Sequence, residues 1–377
     1  MNKKYLLSIV VPTKNRYKYL KYLIQLIKGF QSDNIELVIQ DNTEDNKEIL
    51  EFIEKEDFVH LKYSHSTDHL SVSQNSDLAI LNSTGKYVCF IGDDDGVIRN
   101  IDAVLSDYDK KNIDCLIAPT IIYNWPDYID NSRYKLSGVL MKSMSQKKET
   151  VIDTKKEFKA VVDGGFSTMG LLPKVYQAIV KRSKLDEVYK ICSTYFPGPS
   201  PDMANSIALY SVCKSVYYTE KPLVITGQCK SVGGGERMMA GNLKSIKEIP
   251  FLPENIEQIW DKKLPMLWCS DTVWPASART SCLQMGIPCD FNYEMIYAKF
   301  VYHHPKYRNE INDIASPIRF YYYLNRIKIA DILSFIKVRI SSILSNNQIV
   351  GDFRVYRNIQ DIIDAETRIY DNAYEGI

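Results

Sequence analysis

The first 120 residues alternate short apolar runs with segments of helical periodicity, and this alternation constrains the fold more than any other feature. Runs rich in β-branched residues predict five strands, at residues 6–11, 35–40, 59–63, 87–91 and 113–118. Leucine and isoleucine repeat at helical spacing between them, which predicts helices at residues 20–29, 44–56 and 71–82. Strands separated by helices of about 10–15 residues are typical of βαβ units, so we predict a mostly parallel α/β sheet flanked by helices.

The predicted secondary-structure pattern changes at two places in the rest of the chain. A stretch of loops and short strands is predicted over 123–144, followed by helices at 153–164 and 174–182 and a strand at 169–173. Ser200 is predicted to cap a further helix that has Pro201 at its first position. From residue 226 to residue 377 the pattern becomes mainly helical and rich in tyrosine, which predicts a boundary near residue 225.

Composition excludes several classes of protein. The formal net charge is +1, which argues against a nucleic-acid partner because binding to a phosphate backbone needs a basic surplus. The eight cysteines contain no Cys-x-x-Cys pair, so a structural zinc site is not predicted. No signal-peptide pattern and no run of about 18 apolar residues is found, so we expect a cytoplasmic protein with reduced thiols.

Polar residues follow three of the predicted strands. Residues 12–16, 41–43 and 92–96 come directly after the first, second and fourth strands. The carboxyl ends of parallel strands meet at one edge of a sheet, where ligands bind in such folds. The last segment contains Asp93, Asp94 and Asp95, whose mutual repulsion a divalent cation would offset. A solvated acidic turn is the alternative interpretation of this run.

These segments resemble blocks of the family 2 glycosyltransferases, which have the GT-A fold. Residues 8–16 resemble the opening strand of that family, 36–43 its second strand, and 85–95 its metal-binding block. The resemblance implies a Rossmann-like GT-A catalytic domain over residues 1–225. Within it, residues 1–110 are expected to bind a nucleotide sugar and residues 111–225 to face the acceptor.

The resemblance also implies a role for individual residues. Asp94 matches the last aspartate of the family's Asp-x-Asp motif and is the expected main ligand of Mn²⁺ or Mg²⁺. The expected donor-binding residues are Pro12, Thr13, Arg16, Asp41, Asp93 and Asp95. Of these, Asp41 is expected to contact the nucleotide base, and Asp93 is expected near the ribose or diphosphate. Asp95 is expected to support the site or contact the sugar.

Two departures from the family pattern concern the donor. Gly92 stands where the family often has aspartate, and Ser73-Gln74-Asn75 stands for the common Ala-Arg-Asn, so a donor-contacting arginine is missing. The Gly-Asp-Asp-Asp-Gly form resembles the subset that builds bacterial surface polysaccharide. The resemblance favours a uridine diphosphate donor and a glycan or lipid-linked acceptor, with the enzyme at the inner face of the membrane as one possibility.

Transfer with inversion requires a base that takes the proton of the acceptor hydroxyl. In the family this is a carboxylate at a helix start about 90–110 residues beyond the metal motif, and Asp202 fits that description. A helix N-terminus also favours the ionised carboxylate. Helix stabilisation alone explains an aspartate at this position equally simply, and Asp163 is a second candidate for the base.

Further residues have a functional and a structural interpretation each. A loop of glycines at 233–235, with Arg237, is either a lid over the donor or a flexible linker. The helical face over 326–344 either lies on a membrane or packs against protein, including a second copy of the chain. Donor contacts by His65 and His69 are weighed against a surface loop, and sugar contacts against core packing for Trp260, Trp268 and Trp274.

Two other functions remain compatible with the sequence. A nucleotidyltransferase acting on sugar phosphates could use a similar sheet and acidic metal site, and it would release pyrophosphate. A catalytically inactive scaffold could keep the fold and present its C-terminal helices to partners. Retention of the acidic run argues against the scaffold.

Overall fold

The fold comes from a computed structural model that describes residues 5–130, 134–230, 243–249, 252, 255–346 and 348–374. The glycine loop at 233–235 and Arg237 lie outside these residues. In chain order the strands are β1 Leu7–Thr13, β2 Ile35–Asp41, β3 Leu61–His65, β4 Tyr87–Phe90, β5 Gly96–Val97, β6 Cys115–Ile117, β7 Ile121–Asn124, β8 Val139–Ser143, β9 Thr150–Val151, β10 Ile179–Lys181, β11 Val216–Tyr218, β12 Val224–Gln228, β13 Ile349–Val350 and β14 Phe353–Arg357.

The helices follow the same order. They are α1 Tyr17–Gly29, α2 Lys47–Glu56, α3 Val72–Leu81, α4 Ile101–Asp109, α5 Thr154–Asp163, α6 Arg182–Cys192, α7 Pro201–Val212, α8 Ile256–Ile259, α9 Ser270–Gln284, α10 Tyr293–His303, α11 Pro317–Leu344 and α12 Ile362–Tyr374. Short 3₁₀ helices occupy Ile246–Glu248 and Pro305–Ile311. No helix within the described part of the chain combines the length and apolar character that crossing a bilayer requires.

The main sheet has the strand order β3-β2-β1-β4-β10-β6-β11-β9. Strands β1 to β4 run parallel, and β10 is antiparallel to both of its neighbours. Side chains of β1 alternate between its two faces, as the period of a strand requires. Ile9 therefore packs with α1 and α4, whereas Val10 packs with α3, α6 and α7 on the other face. The predicted α/β class, with a mostly parallel sheet between helices, is confirmed.

Local sequence explains where several helices begin. Ser71 Oγ accepts the backbone N–H of Gln74 and the Gln74 side chain accepts that of Ser71, so a capping box starts α3. Asp153 caps α5 by accepting two backbone N–H groups. Ser200 takes the N-cap position of α7, but its side chain makes no capping bond, so that detail of the prediction is wrong.

Three predicted elements differ from the structure. The helix predicted at 174–182 is wrong, because Ile179 and Val180 are fully buried in β10 and the helix starts only at Arg182. A strand predicted at 169–173 is wrong as well, since Gly170 has φ 51° within a turn. The third strand lies two residues later than predicted, at Leu61–His65, because residue 59 belongs to an exposed turn.

A second sheet joins the C-terminal region to the first half of the chain. Its order is β13-β14-β8-β7-β12-β5, and β14 pairs antiparallel with β8. Helix α12 follows and packs on α1 and β5, where Ile362 lies against Gly96. Arg99 and the buried Glu366 form a bidentate ion pair that ties α12 to the loop after β5. The division at residue 225 falls inside β12 and stays a prediction.

Candidate active site

A cavity of ≈ 720 Å³ opens at the carboxyl ends of β1 and β4. Its size is typical of pockets for small-molecule ligands, which span about 300–1,000 Å³. The structure brings together four polar segments there that are far apart in sequence: residues 12–16, Asn42, residues 92–94 and residues 199–202. The acidic run and the start of α7 therefore face the same space.

Asp93 and Asp94 are buried and share one cation. Arg16 Nη2 lies 2.6 Å from Asp94 Oδ2, and Arg16 Nη1 lies 3.1 Å from Asp93 Oδ1. The Thr13 hydroxyl donates to Asp93 Oδ2 at 2.6 Å. Burial and the neighbouring Asp94 raise the pKa of Asp93 to about 7, against the lowering effect of Arg16. One guanidinium therefore does not balance the negative charge of this cluster.

Asp95 points away from the cavity and is held by the protein. Its carboxylate accepts the backbone N–H groups of Gly92 at 2.8 Å and Gly227 at 2.7 Å, and the Gln177 side chain at 3.2 Å. Burial raises its pKa to about 7, with Asp94 adding to the effect. With both oxygens engaged by donors, Asp95 closes the turn of the acidic run and does not line the cavity.

The backbone of Asp94 is fixed by two residues that the sequence analysis missed. The indole Nε1 of the buried Trp125 donates to the Asp94 carbonyl oxygen at 2.9 Å. Gly227 in β12 passes so close that a Cβ on it would lie 1.7 Å from that oxygen. Only glycine fits at this position, and its N–H also reaches Asp95. These contacts span distances of 31 and 132 residues in sequence, so no local pattern indicates them.

The residues present fit a divalent cation. Asp93 Oδ1 is a buried oxygen that pairs with Arg16 Nη1 at 3.1 Å by charge but receives no hydrogen bond from the described residues. Asp93 and Asp94 both face the cavity, and burial raises the pKa of each. Carboxylate oxygens with surplus negative charge are the ligands that Mg²⁺ and Mn²⁺ prefer.

The other predicted donor residues divide into two groups. Pro12, Thr13 and Arg16 line the cavity. Asp41 is fully buried instead, and its carboxylate accepts the hydroxyls of Tyr17 at 2.6 Å and Tyr63 at 2.7 Å. The next residue along the chain, Asn42, lines the cavity in its place. Its side chain holds the loop after β3 by donating to the carbonyl oxygens of Ser66 and Asp68.

Asp202 lies in the first turn of α7 and lines the cavity. The turn is anchored from α9, because the Ser200 N–H donates to Ser277 Oγ at 2.7 Å. Burial raises the pKa of Asp202 to about 6, and the nearby Lys174 lowers it. Asp202 is therefore mainly ionised at neutral pH yet basic enough to accept a proton. Asp163, the other candidate, does not line the cavity and pairs with Lys159 on the surface of α5.

The cavity is also lined by residues that had an open interpretation or no signal in the sequence. Tyr176 belongs to the segment wrongly predicted as a helix, so its position facing Gly92 had no sequence signal. Asn75, which matches the last residue of the family's Ala-Arg-Asn, lines the cavity from α3. His69 and Trp268 also line it. His65 Nε2 instead donates to the Thr43 carbonyl oxygen, and Trp260 and Trp274 pack in the core.

A separate cluster of metal-ligand types lies at the start of α9. Ligand atoms of Cys269, Asp271 and His304 all lie within 4.8 Å of one another. Asp271 Oδ2 also lies 2.8 Å from His303 Nδ1, and Cys269 Sγ lies 3.4 Å from the Thr272 hydroxyl. These contacts satisfy the cluster with protein groups, as in a capped helix start.

Comparisons with known proteins agree with this geometry. Residues 8–177 match the family described as Glycosyl transferase family 2. No curated protein matches the chain in sequence. Residues 1–349 of S. aureus TarS in complex with UDP-GlcNAc superpose with a TM-score of 0.50 at 14% identity, covering 98% of this chain and 92% of that chain.

Two further structures superpose with lower TM-scores. A longer S. aureus TarS structure gives a TM-score of 0.44 at 17% identity, covering 59% of this chain and 37% of that chain. Mannosyltransferase PcManGT from Pyrobaculum calidifontis, in complex with GDP-Man and Mn2+, gives 0.40 at 12% identity and covers 88% of both chains. This chain thus spans little more than a third of the longer TarS chain.

The fold and the cavity define an α/β domain with a carboxylate-lined cleft at the carboxyl edge of its parallel strands. Residues 8–177, the segment that matches the family described as Glycosyl transferase family 2, supply most of the side chains that line this cleft. The likeness to TarS residues 1–349 shows a shared GT-A fold beyond the matched segment.

Proposed function

We propose that this protein is an inverting glycosyltransferase that moves a sugar from a nucleoside diphosphate sugar to a hydroxyl group. The donor is a uridine diphosphate sugar, and the acceptor is a glycan or lipid-linked sugar in surface polysaccharide synthesis. One observation carries the proposal. Asp94 and Asp202 lie 108 positions apart in the sequence, and the same ≈ 720 Å³ cavity is lined by both.

The two carboxylates have different environments that suit different roles. Asp202 has a pKa of about 6 and a helix N-terminus that favours its charged form, so it serves as the base. It accepts the proton of the acceptor hydroxyl as that oxygen forms the new bond to the anomeric carbon. The bond from this carbon to the diphosphate breaks, and the electron pair leaves with the nucleoside diphosphate.

The acidic run and Arg16 receive the leaving group. A Mn²⁺ or Mg²⁺ ion bound by Asp94, with Asp93 beside it, would supply neutralisation of the diphosphate charge. Arg16 lines the same cavity and contacts both carboxylates. Because Gln74 stands where the family often has arginine, we assign the diphosphate contact to Arg16. Its planar guanidinium suits two phosphate oxygens at once.

Product analysis tests the proposed reaction. The purified protein is incubated with Mn²⁺ and a panel of nucleotide sugars, first ranked by thermal shift because a ligand of the folded state raises its stability. We expect release of the nucleoside diphosphate and transfer of the sugar. Release of pyrophosphate from a nucleoside triphosphate and a sugar phosphate would identify a nucleotidyltransferase instead. Donor binding without turnover on any acceptor would favour the inactive scaffold.

We place the protein in the cytoplasm, acting at the inner face of the membrane on acceptors carried there. The near-zero net charge and the acidic cleft support a small-molecule donor over a nucleic acid. Fractionation of cells that express the tagged protein checks this location. Recovery of the protein in the fraction from beyond the outer face of the cytoplasmic membrane would contradict this location.

A further inference from the structure

Helix α11 stands apart from the core along most of its length. It runs for 28 residues, about 42 Å, yet its buried side chains are only Phe320, Leu324 and Ser342. The first two pack against α10, in a cluster that includes Phe300 and Tyr297. All three lie on one side of the helix at a spacing of 3.6 residues per turn, so the opposite side faces solvent.

The solvent side of α11 is apolar. Ile329 is 60% exposed, Leu333 62%, Ile336 46%, Ile340 52% and Ile343 64%. At about 100° per residue these side chains fall within one stripe opposite Phe320 and Leu324. Single exposed hydrophobic residues are normal on a protein surface, but a continuous stripe of this kind marks an interaction site.

Basic side chains border the stripe on both sides. On the same helical wheel Lys328 and Arg339 lie along one border, and Arg326 and Lys337 lie along the other, all of them exposed. The helix carries five basic residues and a single acidic one, Asp331, which gives it a formal charge of +4. Asp331 lies on the inner side and accepts the Tyr302 hydroxyl.

We propose that the stripe 329–343 of α11 lies on the surface of a bilayer that contains anionic lipids. An apolar face with basic borders suits a helix in the plane of the interface, with the side chains in the acyl region and the cations at the phosphates. A second copy of this chain is disfavoured as the occupant, because a two-fold contact would place the basic borders of both copies together. The helix is also not one that could cross a bilayer.

The placement connects the bilayer to the cavity through packed helices. Helix α11 packs on α10, α10 packs on α9, and α9 packs on α7, which begins with Asp202. Membrane binding through α11 would therefore hold the acceptor side of the cavity at a constant position relative to the lipid surface. The binding itself does not depend on the proposed reaction.

Vesicle co-sedimentation of the full chain tests the proposal. We expect the protein to pellet with vesicles of phosphatidylcholine and phosphatidylglycerol at low salt, and far less with pure phosphatidylcholine or at high salt. The double variant Leu333→Glu/Ile336→Glu should lose vesicle binding. The double variant Lys328→Gln/Arg339→Gln should bind about 25-fold more weakly, at about five-fold for each cation.

A matched control distinguishes loss of the apolar stripe from the effect of adding a carboxylate elsewhere on the surface. Val59 is 79% exposed and lies outside α11, so Val59→Glu should bind vesicles as the wild type does. The α11 variants replace exposed side chains, and we expect unchanged thermal unfolding and unchanged donor hydrolysis without vesicles. Unaltered vesicle binding by Leu333→Glu/Ile336→Glu overturns the proposal. So does a dimer in light scattering that this variant abolishes while vesicle binding is absent in the wild type.

Discussion

The pKa of Asp202 leads to a prediction about the pH dependence of sugar transfer. A base must be ionised to accept a proton, so the rate is full above its pKa and is lost as the pH falls through it. With a pKa of about 6, about 90% of Asp202 is ionised at pH 7 and about 10% at pH 5. We therefore expect kcat to fall about tenfold between these values and about tenfold per pH unit below pH 5.

Two variants test whether protonation of Asp202 causes this loss of rate at low pH, the acid limb of the pH profile. Asp202→Asn keeps the shape of the side chain but removes the base, and we expect it to lower kcat by about 10²–10⁴ while donor binding persists. Lys174 lowers the pKa of Asp202, so Lys174→Met should move the acid limb to higher pH. The assay is sugar transfer at saturating donor, acceptor and Mn²⁺ from pH 5 to 8.

The control is the second acidic candidate. Asp163→Asn should leave both kcat and the acid limb unchanged, because Asp163 lies outside the cavity and pairs with Lys159. Full turnover by Asp202→Asn, or an acid limb that Lys174→Met leaves in place, would refute the assignment of Asp202 as the base.

Two further predictions concern contacts that fix the site and the fold. Gly227→Ala should abolish donor binding in calorimetry, since the added Cβ would lie 1.7 Å from the Asp94 carbonyl oxygen and must displace the acidic run. Arg99→Met should lower the free energy of unfolding by about 2–3 kcal/mol in chemical denaturation, because it leaves the buried Glu366 without its ion pair.

Each of these has a matched control. Gly29→Ala places a Cβ where no atom lies within 4 Å, so it should keep donor binding. Lys110→Met removes an exposed pair with Asp107, and exposed pairs contribute about 0–1 kcal/mol. Normal donor binding by Gly227→Ala would contradict the described approach of β12 to Asp94. Equal stability of Arg99→Met and Lys110→Met would contradict the anchoring of α12.

The sheet and its helices could be predicted because their signals are local. The β-branched runs of β1, β2 and β4 are buried on both faces, and the capping box at Ser71 starts α3 as the sequence indicates. The strand β10 could not be predicted in this way. Its β-branched run is only two residues long, and Val175, Ile179 and Val180 also fit helical spacing. The pairing of Ile179 with β4 and β6, which are remote in sequence, decides for the strand.

The candidate site shows the same limit. The polar strand ends at 12–16 and 92–94 meet as expected, because parallel strands end at one edge. Which carboxylates of the acidic run face the cavity depends instead on residues that are remote in the sequence. Asp95 is turned away by Gly227, and Asp41 by two tyrosine hydroxyls that only the folded chain brings near. A contact between Asp41 and the nucleotide base stays a prediction. The buried carboxylate can make this contact only if its hydrogen bonds to the two tyrosines rearrange.

Calorimetry of uridine diphosphate with and without Mn²⁺ tests most directly whether Asp94 couples metal binding to nucleotide binding in this cavity. We predict that Mn²⁺ strengthens binding to the wild type and to Asp107→Ala, an exposed acidic control on α4. Asp94→Ala should bind with the same affinity in both conditions, while Arg16, released from its 2.6 Å ion pair, still attracts the diphosphate. Metal-dependent binding that survives in Asp94→Ala would contradict the account.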